Sequence, residues 1–137
     1  MAKGSIGTVA QVIGPVLDIK FANGELPQLL NAIEVSSGDK KLVVEVAQHV
    51  GDDVVRCIAM SSTDGLTRGA KAVDTGSSIT VPVGEKTLGR IFNLLGEPVD
   101  NQPAPEEVER WAIHRQAPAY DEQETSAEIL ETGIKVV

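Results

Sequence analysis

The sequence predicts a mainly β fold: a six-stranded barrel formed by the N-terminal part, followed by a tail of different character. Three observations predict it. Apolar residues alternate at period two in short runs, turn-forming residues separate those runs, and both features stop near Gly84 of the 137 residues. Hairpin-like spacing of short strands argues for a barrel or sandwich. Closure into a barrel is favoured because it removes exposed strand edges.

The runs follow in order. Ile6 to Ile13 is rich in β-branched residues and stops at Gly14-Pro15. Val16 to Phe21 alternates cleanly, with Leu17, Ile19 and Phe21 on one side and Val16, Asp18 and Lys20 on the other. Asn23-Gly24 turns the chain. Ala32 to Val35 is a short strand closed by Ser37-Gly38-Asp39, and Leu42, Val44 and Val46 alternate with Val43 and Glu45. Gly51-Asp52-Asp53 leads into Val54 to Met60. Asp64-Gly65 and Gly76 punctuate a loop, and Ile79, Val81 and Val83 form the sixth run. Beyond Gly84, Leu88 to Leu95 reads as a short helix ended by Gly96 and Pro98. Asp100 to Glu109 reads as an extended surface connection. Thr125-Ser126-Ala127-Glu128 has capping-box spacing, and Thr132 could cap a helix opening at Gly133. The chain is thus read as a barrel domain over 1–83 and a connector over 84–137, with an apolar helix start cut off at Val137.

Composition narrows the function. Formal net charge is -8 with a pI near 4.7, which argues against a nucleic-acid partner and against electrostatic docking on anionic lipid. No apolar stretch approaches the roughly 18–20 residues that span a bilayer, and the first residues carry no secretion-signal pattern. Any membrane link is therefore indirect. Phe21, Phe92, Trp111 and Tyr120 are the only aromatics, so the core must be aliphatic and a base-stacking platform is disfavoured. The single Cys57 lies in a strand-like run and reads as a small buried hydrophobe rather than a reactive thiol.

Candidate chemistry is sparse. Gly84-Glu85-Lys86-Thr87-Leu88-Gly89-Arg90-Ile91 has the outline of a phosphate loop after a strand. However, Arg90 and Ile91 stand where the mechanism needs Lys and Ser or Thr. A strand exit followed by a short helix is the better reading. His49 and His114 lack metal-ligand spacing, and His114 reads as a local hydrogen-bonding partner beside Trp111. Glu106-Glu107 and Asp121-Glu122 read as solvated surface, and Ser61-Ser62 has no partner base by motif. No catalytic, cofactor-binding or metal-ligating residue is assigned.

The connector carries a family resemblance. Pro82-Val83-Gly84, Leu88-Gly89-Arg90, Asn93, Gly96, Pro98 and Asp100 resemble a signature of the rotary ATPase nucleotide-binding subunits. Several further motifs resemble the F-type beta subunit, in a bacterial-like form. They are Val12 to Asp18, Val55-Arg56 with Ala59-Met60, Thr63 to Leu66 with Arg68-Gly69, Glu109 to Arg115, and Leu130 to Val137. The resemblance spans essentially the whole chain. It implies a six-stranded N-terminal barrel that alternates with alpha-subunit barrels in a hexameric ring. It also implies a following α/β nucleotide-binding domain, absent here, that binds magnesium-ATP or ADP. The complete subunit would contact a central gamma stalk, couple ATP synthesis or hydrolysis to proton transport, and lie peripherally at the cytoplasmic face of a bacterial plasma membrane. The phosphate loop should begin roughly 15–20 residues after Val137, so the chain as given is expected to be inactive. The alternatives are a free-standing β-barrel interaction module, an oligonucleotide-binding barrel, and another rotary-type subunit: alpha, vacuolar or archaeal, or flagellar export ATPase.

Overall fold

The computed structural model describes residues 4–38 and 40–129. Among the described residues eight strands form: β1 (Ile6–Ile13), β2 (Val16–Lys20), β3 (Ala32–Ser37), β4 (Lys40–Gly51), β5 (Val54–Ala59), β6 (Lys71–Asp74), β7 (Thr80–Val83) and β8 (Glu109–Ala112). The first six close into an antiparallel barrel in the order β1-β2-β5-β4-β3-β6, and β7 and β8 make a separate two-stranded ribbon.

The alternation read from the sequence decides which side chains enter the barrel. Val9, Leu17, Ile19, Ile33, Val35, Leu42, Val44, Val46, Val55, Cys57 and Ala72 are all buried in one cluster. Their cross-strand neighbours alternate outward, as the pleat requires. Phe21 is the one buried ring, just past β2. Gly7 faces it: a Cβ there would stand 2.8 Å from the Lys20 carbonyl oxygen and 2.9 Å from the Phe21 ring. Only glycine lets β1 approach so closely.

The expected six-stranded barrel is present, but one of its staves differs. Ile79 to Val83 is not in it. Its strand, β7, pairs with β8 instead, Val81 opposite Trp111. The sixth stave is β6, inside the segment read as a loop, and it closes the barrel by pairing with both β1 and β3. Its sequence hid it. The buried residues of Lys71-Ala72-Val73-Asp74 are a small alanine and a carboxylate, so no large apolar alternation marks it. Asp74 is tolerated because Asn31 Nδ2 donates to it at 3.1 Å and the Gly76 amide at 3.0 Å. β4 is also longer than read. Two register shifts, between Val46 and Gln48 and between His49 and Gly51, break its alternation while pairing continues.

The helix expected over Leu88 to Leu95 does not form. A one-turn 3-10 helix at Glu85–Thr87 is followed by turns with Gly89 at φ 69° and Gly96 at φ 72°. Side-chain oxygens capture the amides a helix would use. Asn93 Oδ1 accepts from Leu95 and Glu97, both at 2.9 Å, and Asp100 accepts from Ile91 and Gln102. No helix follows the Thr125 to Glu128 pattern up to Ile129; the nearest helical turn is a 3-10 turn at Tyr120–Glu122. The helix start at Thr132 lies outside the described residues.

Candidate interaction surface

Among the described residues, no three His, Cys, Asp or Glu side chains cluster in a way that could hold a metal ion, and no helix is long and apolar enough to cross a membrane. Three surfaces stand out on the described residues.

The first is the outer wall of β1, β2 and β5. Ile13 stands opposite Val16, and Val16 opposite Ile58, so three apolar side chains form one outward row. Below them Asp18 and Arg56 are direct cross-strand neighbours in a bidentate pair, with contacts of 2.8 and 3.0 Å. The hydrogen bonds from Arg56 hold the Asp18 carboxyl below its ordinary value, against the opposing effect of partial burial. Ile58 is in turn opposite Glu45, which ends the row.

Glu45 ties the barrel to the connector. Its Oε2 lies 2.8 Å from His114 Nε2, 69 residues away. His114 therefore does not bond locally, as its sequence neighbourhood suggested. Trp111 instead carries the Arg115 guanidinium 3.7 Å from its ring centroid, and its Nε1 donates to Glu109 Oε1 at 2.6 Å. Nothing in the sequence relates position 45 to position 114; the pair exists because the segment just after β8 brings His114 to the outer face of β4.

The second surface is the connector. Arg90 clamps Asp100 through contacts of 2.5 and 3.1 Å and also donates to the Pro103 carbonyl at 2.8 Å. The clamp pulls the Asp100 carboxyl far below the ordinary carboxylate range. Arg110 donates to Thr80 Oγ1 and to the Thr80 and Leu95 carbonyls. In the stretch resembling a phosphate loop, Lys86 Nζ donates to the Glu106 carbonyl at 2.9 Å and Thr87 Oγ1 to the Gly84 carbonyl at 2.7 Å. Both groups thus serve the connector's own backbone. Leu88, Ile91, Leu94 and Val99 remain exposed on this otherwise fastened segment.

The third surface is the tip of the loop between β2 and β3, where Leu26, Leu29 and Leu30 face solvent. Inside the barrel, Cys57 is fully buried, and desolvation with the nearby Asp18 charge pushes its thiol up to about 12. It is the buried hydrophobe its run implied.

A closed, aliphatic, six-stranded antiparallel barrel with a clamped connector defines a small β-barrel domain. Comparison with known families makes this specific: residues 9–76 match the β-barrel domain of the ATP synthase alpha/beta family. The matched stretch covers the barrel from Val9 through β6, and this barrel is an N-terminal domain of that family.

Proposed function

We propose that the chain supplies the N-terminal barrel of the beta subunit of a bacterial F-type ATP synthase, and that its role is assembly. The barrel alternates with alpha-subunit barrels in a ring, while the nucleotide-binding domain that follows in the complete subunit binds magnesium-ATP or ADP and meets the gamma stalk. Proton-coupled synthesis and hydrolysis belong to that complete subunit, held at the cytoplasmic face of the plasma membrane through its partners. The observation that carries the reading is the family-type barrel joined to the beta-like motifs Thr63 to Leu66 and Glu109 to Arg115. A ring of two alternating subunits needs two different lateral faces on each barrel. The β1–β2–β5 wall with its apolar row and the polar wall bearing Glu34, Ser36 and Lys71 differ in that way.

Two measurements test the reading. Sequencing the coding region beyond Val137 is expected to run into Gly-x-x-x-x-Gly-Lys-Thr within a few tens of codons; a different domain there removes it. Sedimentation of the chain alone and mixed with an alpha subunit is expected to give a monomer alone and a detectable complex in the mixture. A tight homo-hexamer of this chain alone contradicts the alternating arrangement.

A further inference from the structure

The chain carries asparagine at positions 23, 31, 93 and 101. Three of the four are held. Asn31 is buried, its Nδ2 donates to the Asp74 carboxylate at 3.1 Å, and the amide that follows it, that of Ala32, donates to the Ser77 carbonyl at 2.8 Å. Asn93 accepts from Leu95 and Glu97 through Oδ1 and donates to Glu97 Oε2 through Nδ2 at 2.8 Å. The amide after Asn101, that of Gln102, donates to Asp100 Oδ1 at 3.1 Å. Asn23 differs in every respect. It is exposed and followed by glycine, and among the described residues neither its side chain nor the Gly24 amide makes a hydrogen bond.

The local backbone keeps both groups open. The Glu25 amide donates to the Ala22 carbonyl at 3.0 Å, closing a turn over Ala22 to Glu25. Gly24, third in that turn, has φ 80°, the left-handed value a type II turn takes there. The closing bond uses the outer residues and leaves the Gly24 N–H unengaged. A Cβ at position 24 would meet nothing within 4 Å, so no neighbour packs over the peptide.

We propose that Asn23–Gly24 is a site of spontaneous covalent modification, deamidation through a cyclic imide. The Gly24 amide nitrogen gives up its proton to base and attacks Cγ of Asn23, an approach that glycine leaves unobstructed. The N–Cγ bond forms, the Cγ–Nδ2 bond breaks, and Nδ2 takes up a proton and leaves as ammonia. Water then opens the five-membered ring at either carbonyl. One opening gives aspartate. The other gives isoaspartate, with the backbone routed through Cγ. Nothing is oxidised or reduced, and water is the only co-reactant. The product adds one negative charge two residues before Glu25, and isoaspartate also adds a methylene to the backbone. The flanks are fixed: the Phe21 amide donates to the Asp53 carbonyl at 2.9 Å, and Pro27 is buried with its carbonyl oxygen 2.7 Å from His49 Nε2. The extra atom is therefore absorbed between 22 and 26 and does not reach the barrel. This inference is independent of the subunit reading above.

The test is incubation of the folded chain at mildly alkaline pH beside a free peptide of residues 21–30, read by mass spectrometry and peptide mapping. The expected change is the mass gain of an NH2 replaced by OH, located at position 23. Its rate is expected within about tenfold of the peptide's, because nothing in the fold protects the site. The product should accept methyl groups from S-adenosylmethionine through an isoaspartyl carboxyl methyltransferase. Asn23→Gln, whose ring would be one atom larger, should abolish both signals. The aged chain is expected to melt within about 5 °C of the fresh one. An Asn23 that stays intact after the peptide has turned over overturns the proposal, as does earlier reaction at position 93 or 101. A larger drop in melting temperature overturns the claim that the fixed flanks isolate the turn from the barrel.

Discussion

The barrel and the connector are fastened by different physics. In the barrel, every strand pairs on both sides and aliphatic side chains fill the interior. Its stability is thus distributed over many buried methyl and methylene groups and is cooperative. In the connector β7 and β8 pair and Phe92 and Pro98 form an isolated bridge, while the rest of 84–108 is held by turn amides and a few side-chain hydrogen bonds: Arg90 to Asp100 and Pro103, Asn93 to its neighbours, Lys86 to Glu106. Charge divides the same way. Residues 1–83 hold nine acidic and seven basic side chains, and 84–137 hold eleven and five, so most of the net charge of -8 lies in the second part. A closed hydrophobic shell tolerates the loss of any one surface bond, whereas a clamped loop depends on individual residues.

The largest expected effect tests the barrel. Leu17→Ala leaves a cavity at a fully buried site and should cost about 2–5 kcal/mol, read from denaturant unfolding. A loss well under 1 kcal/mol would show that the aliphatic core is not what holds the barrel.

Next comes Gly96→Ala in the connector. Gly96 has φ 72°, and a Cβ would stand 2.6 Å from Pro82 Cδ, so the substitution should cost about 1–3 kcal/mol locally. Protease cleavage within 84–115 should speed up while the core amides of the barrel keep their exchange protection. Equal loosening of both would merge the two regions into one cooperative unit.

Acid should separate them by charge. Asp100 has a folded value depressed below its ordinary 3.8. Its stabilising effect is therefore fully present above that ordinary value and is lost as pH falls through the depressed one. The Arg90 clamp should survive to pH 4 and open only well below it, followed by the Ile91 and Gln102 amide resonances. Asp100→Asn should open it at neutral pH. Smaller still, limited proteolysis of the unaltered chain should cut first between Asp100 and Glu128, where little apolar surface is buried; first cuts inside Val16 to Met60 would reverse the ranking of the two regions. Last, Cys57, with its thiol pushed up to about 12, should react with a disulfide reagent at pH 8 only as fast as the barrel opens.

The sequence by itself determined what period-two alternation can encode. Leu17/Ile19, Leu42/Val44/Val46 and Val55/Cys57 marked their strands and their inward faces, because a half-buried strand must repeat every second residue. Alternation also placed Ile79 to Val83 in a strand but could not name its partner. Pairing across the chain to Arg110 and Trp111 is a long-range choice that no local pattern carries. The same limit explains the misplaced sixth stave. β6 is a barrel strand because β1 and β3 leave two edges to be joined, and its own Ala72 and Asp74 announce nothing. The expected helix at Leu88 to Leu95 lost to Asn93 and Asp100, whose oxygens captured backbone amides once turns brought them near. The surface features are tertiary in the same sense: Glu45 with His114, and the outward leucines around a strained Leu30, depend on segments far apart in sequence being held side by side.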